Sequence, residues 1–131
     1  MTFPLYFLMA LIAVESGGNT RAVGDQGRSL GCLQIRREVV HDVNRIARTK
    51  FTHADARNAE KSLIMCRIYL QHYCTAERLH REPTLEDAAR IWNGGPNGWK
   101  SHATDHYWSK VRHHMLAHEN PDSIDPRPRR L

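Results

Sequence analysis

At 131 residues and 15.1 kDa the chain is long enough for one domain with its own core and too short for a second. Charged residues make up 25% and apolar residues 40%, which excludes both a disordered chain and one that needs a lipid bilayer to fold. The net charge of +5 and the pI near 9.4 favour polyanionic partners, but do not choose between nucleic acid and an anionic bacterial surface.

Residues 3–14 form an unbroken apolar run with Pro4 near its start. No basic residue precedes the run, no typical cleavage site follows it, and it is far shorter than the ~20 residues of a membrane helix. It is therefore read as a buried first helix. The segment between Gly17 and Gly31 has room for a short hairpin. From 36 to 48, Val39, Val43 and Ile46 with Val40 and Ala47 repeat at three-and-four spacing, which predicts an amphipathic second helix. Thr52 and Asp55 have the pattern of a capping box and predict the start of a third helix reaching Leu79. Leu63, Ile64, Met65, Cys66, Ile68, Tyr69, Leu70 and Tyr73 make that helix apolar around most of its circumference, so it is expected at the centre of the fold.

Pro83 punctuates the chain, Thr84 and Asp87 form a second capping box, and Leu85, Ala88, Ala89 and Trp92 share one face of a short fourth helix. The run Asn-Gly-Gly-Pro-Asn-Gly at 93–98 is expected to leave the helix and form a loop. A last helix over 104–118 places Tyr107 or Trp108 with Val111 and Met115 on a common face. Residues 121–131, with three prolines and three arginines, read as a flexible basic tail. The expected organisation is one mainly α domain over residues 1–120, of about five helices, followed by that tail.

Cys32, Cys66 and Cys74 are an odd and small set, unsuited to a disulfide framework. Cys66 and Cys74 lie in an apolar segment and read as reduced, buried thiols, with one disulfide left open as the alternative.

Glu15 is the most informative residue for chemistry. It ends the apolar first helix and is followed by Ser16, Gly17 and Gly18. A carboxyl against apolar surroundings has its charged form disfavoured, so its pKa rises toward the range of a general acid. Asp25, ten positions on in Val23-Gly24-Asp25-Gln26-Gly27, sits in a flexible setting that can fold back toward the helix end. Glycosidases use such a pair: one protonated carboxyl expels the leaving sugar oxygen, and one carboxylate acts as nucleophile, base or stabiliser of the cationic transition state. Each residue by itself also has an ordinary structural reading, as a solvated helix-end glutamate and a turn aspartate.

The series Val14-Glu15-Ser16-Gly17, Gly24-Asp25, Ser29-Leu30-Gly31 and Gln34-Ile35 resembles the catalytic segment of lysozyme-like transglycosylases and invertebrate-type (destabilase-like) lysozymes. The run from Ala89 through Trp92-Asn93-Gly94-Gly95-Pro96-Asn97-Gly98, then Ala103-Thr104 and Tyr107-Trp108-Ser109-Lys110-Val111, resembles the invertebrate-type pattern in particular. The matching blocks extend from residue 10 to residue 111. The resemblance implies a lysozyme-like fold, Glu15 as general acid and Asp25 as second carboxylate. It also implies that Ser29, Gln34, Asn93, Gly94, Gly95 and Tyr107 lie in or support a sugar cleft. The chain departs from the family in its few cysteines, in Trp99 just after Gly98, in Trp92 where histidine is common, and in the Glu-to-Asp interval. The Trp92 departure argues against the isopeptidase activity of some relatives.

Other candidates rank lower. His102 with His106, and His113, His114 and His118, suggest a metal but lack a third ligand nearby, so surface histidines and no metal or other cofactor are expected. Of the three tryptophans, Trp108 reads as core, and Trp99, in the loop, is the best placed for substrate. Cys32 has no activating partner in sequence, which sets aside a thiol hydrolase. The expectation is a monomeric muramidase, acting at the cell wall on peptidoglycan or a related N-acetylated glycan, with no membrane span, no specific nucleic acid and no recognisable signal peptide. A lytic transglycosylase using Glu15 alone, or a non-catalytic glycan-binding module, is the alternative.

Overall fold

In the computed structural model the described residues are 1–119, with side chains described as far as Ala117. The expected tail at 121–131 lies outside them. Six α-helices, four short 3-10 turns and one small hairpin make up the described residues, a fold that is mainly α as predicted. The helices and strands are α1 (Leu5–Ser16), β1 (Val23–Gly24), β2 (Ser29–Leu30), α2 (Arg37–Ala47), α3 (Ala59–Tyr73), α4 (Ala76–Leu79), α5 (Leu85–Gly94) and α6 (Asp105–Glu119).

Helix α1 begins after Pro4, whose carbonyl accepts from the amides of Phe7 (3.0 Å) and Leu8 (3.3 Å). It ends at Gly17, in the left-handed conformation, whose amide donates to Ala13 O at 3.0 Å. Phe7, Leu8, Ala10, Leu11 and Ile12 are buried, and the helix packs chiefly on α6, where Val111 and Met115 are buried too. Burying side chains of this kind contributes roughly 1.5–3 kcal/mol each, which is why the apolar run holds the middle of the fold. Leu5 and Met9 face outward.

The hairpin pairs Val23 with Leu30 and Gly24 with Ser29, and an isolated antiparallel bridge then joins Leu30 to Ile35. Gly31 follows with φ 83°, and a Cβ there would run into the carbonyl of Ala56, so the hairpin base closes on the 3-10 turn His53–Arg57 only because this residue is glycine.

The Thr52–Asp55 capping box forms, but on that 3-10 turn and not on α3. Asn58 caps α3 instead, accepting from Lys61 N at 2.9 Å. The expected long helix also breaks at Cys74, and Thr75 caps the separate one-turn α4 by accepting from Arg78 N at 3.2 Å. Two side-chain caps, each stabilising a new helix start, explain the division. Helix α3 is buried on one face only: Ser62, Met65, Cys66, Tyr69 and Leu70 are inside, while Ile64 is exposed. The Thr84–Asp87 box opens α5 as predicted, with Asp87 also held by Arg81 through bonds of 2.7 and 2.6 Å. Helix α5 runs on through Asn93 and Gly94, two residues further than expected, and stops at Gly95. All three cysteines are buried and free of disulfides.

Candidate active site

Five segments surround one cleft of about 650 Å³: the end of α1, the hairpin with the residues just after it, the start of α2, Tyr69 of α3, and the junction of α5 with the glycine-rich loop. That volume lies within the ~300–1,000 Å³ of small-molecule sites.

Glu15 projects from the last turn of α1 and is half-buried. Its Oε2 accepts a 2.8 Å hydrogen bond from the hydroxyl of Tyr107, a buried residue of α6. Burial pushes the Glu15 carboxyl up from 4.5 to about 7; the Tyr107 bond opposes that rise, the negative charge of Asp25 adds to it, and Lys110 draws it back slightly. The same burial, with the Glu15 charge beside it, holds the Tyr107 phenol well above its usual range, so Tyr107 remains a donor. Ser16 anchors the helix end by donating to Cys32 O at 2.8 Å.

Asp25 is exposed and stands at φ 50°, followed by Gln26 at φ 59°. Two successive left-handed non-glycine residues form a sharp turn at the hairpin tip, an arrangement with an energetic cost that tertiary contacts must offset. One such contact is the hydroxyl of buried Ser29, which donates to Asp25 Oδ2 at 2.6 Å. The cleft thus holds one carboxyl withdrawn from water and one in water, with the charge of the second felt by the first.

Gly24, Ser29, Gln34, Asn93, Gly94 and Gly95 also line the cleft. Gln34 is in the left-handed region, and its Nε2 donates to the carbonyls of Gly31 (3.0 Å) and Ala22 (3.3 Å), so its amide nitrogen braces the hairpin instead of facing ligand. Tyr107 acts on the cleft through Glu15. Trp99, expected to contact substrate, is not among the residues lining the cleft. Its indole packs on the core, flanked by Arg81 at 5.5 Å and Lys100 at 5.6 Å. Cys32 is buried and its thiol pKa is raised by that burial, the reverse of an activated nucleophile. Among the described residues no group of three or more His, Cys, Asp or Glu side chains is arranged to hold a metal ion.

Sequence reasoning missed the wall made by Arg36, Glu38, Val39 and Asp42, and the floor of Tyr69 and Trp92. The two rings meet edge to face at 5.6 Å and 85°. Their helical spacing signals only burial, since a residue beneath a cleft and one in the core share the same periodicity. Asp42 is bound by the Tyr73 hydroxyl at 2.6 Å and by Arg45 at 2.8 Å.

A mainly helical domain with a small hairpin, and a half-buried glutamate ending its first helix at the edge of an open cleft, has the architecture of a lysozyme-like protein. No family model matches the chain. Solved structures do, two of them lysozyme structures. One is the crystal structure of Tapes japonica lysozyme, with TM-score 0.69 and 27% identity over 83% of this chain and 88% of that one. The other is a chain in the crystal structure of Aeromonas hydrophila PliI in complex with Meretrix lusoria lysozyme, with TM-score 0.70 and 25% identity over 83% and 88%. The chain is thus similar in fold and sequence to invertebrate lysozymes, the type that its motifs resemble. No helix among the described residues is long and apolar enough to cross a membrane.

Proposed function

We propose that this chain is a glycoside hydrolase of the muramidase type, which cleaves the β-1,4 link between N-acetylmuramic acid and N-acetylglucosamine in peptidoglycan at the cell wall. The observation that carries this reading is Glu15 itself: a half-buried carboxyl with a pKa near 7, opening on a cleft of about 650 Å³ that also holds an exposed aspartate. The lysozyme neighbours support it.

At neutral pH and below, a large fraction of Glu15 carries a proton. It donates that proton to the glycosidic oxygen as the bond from the anomeric carbon to that oxygen breaks. The positive charge that develops on the anomeric carbon and ring oxygen is met by the Asp25 carboxylate, held in place by Ser29. Water then adds to the anomeric carbon and a proton returns to Glu15, leaving two shorter chains. Asn93 and the exposed backbone of Gly94 offer polar groups to hydroxyls and N-acetyl groups, in a cleft that Tyr69 and Trp92 also line.

The test is product analysis on purified peptidoglycan. The wild-type chain is expected to release reducing muramic ends, and Glu15→Gln to lose activity by about a thousandfold or more while remaining folded, with Asp25→Asn impaired as well. Anhydro-muramic ends would replace hydrolysis with transglycosylation. Turnover by a folded Glu15→Gln chain, or glycan binding with no soluble product from wild type, would overturn the proposal.

A further inference from the structure

Five charged side chains line the cleft, and four of them are acidic: Glu15, Asp25, Glu38 and Asp42. The fifth is Arg36, the only cation in the lining among the described residues. Three of the carboxylates have partners, Glu15 with Tyr107, Asp25 with Ser29, and Asp42 with Tyr73 and Arg45. Arg36 has none: no carboxylate of the described residues pairs with its guanidinium, and its Nε lies out of contact with water without an acceptor. A ligand cannot reach the covered Nε, but the half-buried guanidinium lines the cleft with no carboxylate of its own, which leaves it to an anionic acceptor on the ligand.

The position of Arg36 follows from the hairpin. The antiparallel bridge between Leu30 and Ile35 has backbone bonds of 3.0 and 2.9 Å, and its direction sets Arg36 alongside Ser29, the residue that holds Asp25. Arg36 therefore belongs to the Asp25 side of the cleft. A guanidinium presents parallel N–H groups that a carboxylate accepts two at a time, whereas a sugar hydroxyl engages one and leaves the other idle. In a cleft lined with carboxylates, an acidic sugar needs a cation at the spot where its own charge rests.

Resting on the glycan-cleaving role proposed above, we infer that Arg36 anchors a carboxylate carried by the substrate. The cleft thereby selects acidic, muramic-type glycans over neutral polymers of N-acetylglucosamine. The carboxylate is that of the lactyl substituent or of the peptide attached to it.

The test measures binding and not turnover, using the full chain with Glu15→Gln at ~0.15 M salt so that long-range attraction is screened. Kd is determined by calorimetry for three glycans: muramic-containing strands stripped of their peptides, the same strands with the lactyl carboxylates reduced to alcohols, and strands that retain their peptides. The stripped strands are expected to bind about 10- to 100-fold more tightly than the reduced ones, the range of a charge-assisted hydrogen bond. Adding Arg36→Gln narrows that ratio to about threefold or less, and Arg36→Lys, which keeps the charge without the fork, falls between. A preference confined to peptide-bearing strands, and lost with Arg36→Gln, supports Arg36 and assigns the carboxylate to the peptide. Equal affinity for acidic and neutral strands, or a preference that survives Arg36→Gln, overturns the inference. If Arg36→Gln does not fold, a lysine chain that discriminates as well as the arginine chain overturns it equally. A wild-type chain that binds acidic strands through Arg36 but cleaves nothing would remove the proposed reaction and leave this inference standing.

Discussion

Replacing Tyr107 with phenylalanine removes one oxygen from the interior and leaves a buried ring in the core. The bond that disappears is the 2.8 Å donation to Glu15 Oε2, which favours the ionised carboxylate and so holds its pKa down against burial. A hydrogen bond to a charged group contributes about 1.5–3 kcal/mol. The protonated carboxyl keeps part of that bond, so roughly half bears on the ionisation, and at about 1.4 kcal/mol per unit the Glu15 pKa should rise by about half a unit to one unit. The alkaline limb of kcat/KM on soluble glycan, expected near pH 7 for the wild type from the Glu15 value, should move up by that amount in Tyr107→Phe. Carbon-13 NMR titration of the Glu15 carboxyl should move with it. An unchanged limb, or one displaced to lower pH, would refute the role of Tyr107 in poising the acid.

Glu15 also carries a stability cost with a definite pH dependence. Its folded pKa of about 7 lies above the ordinary 4.5, so below 4.5 the carboxyl is protonated in both states and its contribution is fully present; as pH rises toward and through 7 the unfolded chain loses its proton first and stability falls. At pH 8, Glu15→Gln should therefore be more stable than wild type by up to about 3 kcal/mol, with the difference shrinking toward pH 4.5; urea melts at the two pH values check it. For Asp87, burial tends to raise the pKa, but the bonds from Arg81 and Thr84 outweigh it and hold the carboxyl below the usual range. Asp87→Asn breaks the α5 capping box and the Arg81 bonds together, and should destabilise the fold by about 2 kcal/mol or more in the same melts, with little change in KM because Asp87 stands outside the cleft.

The sequence alone determined whatever depends on neighbours three or four residues apart. The apolar run into Glu15, the Thr84–Asp87 box, and the Val111 and Met115 face of α6 were all legible, because caps and helical periodicity act over that distance. Where two local signals competed, they did not decide. The Thr52 box and the Asn58 cap lie six residues apart, and only the packing of the 3-10 turn against Gly31 and Ser62 gave each its own element. Tertiary structure alone decided that the Tyr107 hydroxyl reaches Glu15 across 92 positions, that α2 supplies a charged wall, and that Trp99 turns onto the core. A cleft is the space left between elements distant in sequence, and no spacing within one element encodes which side chains of another will face it.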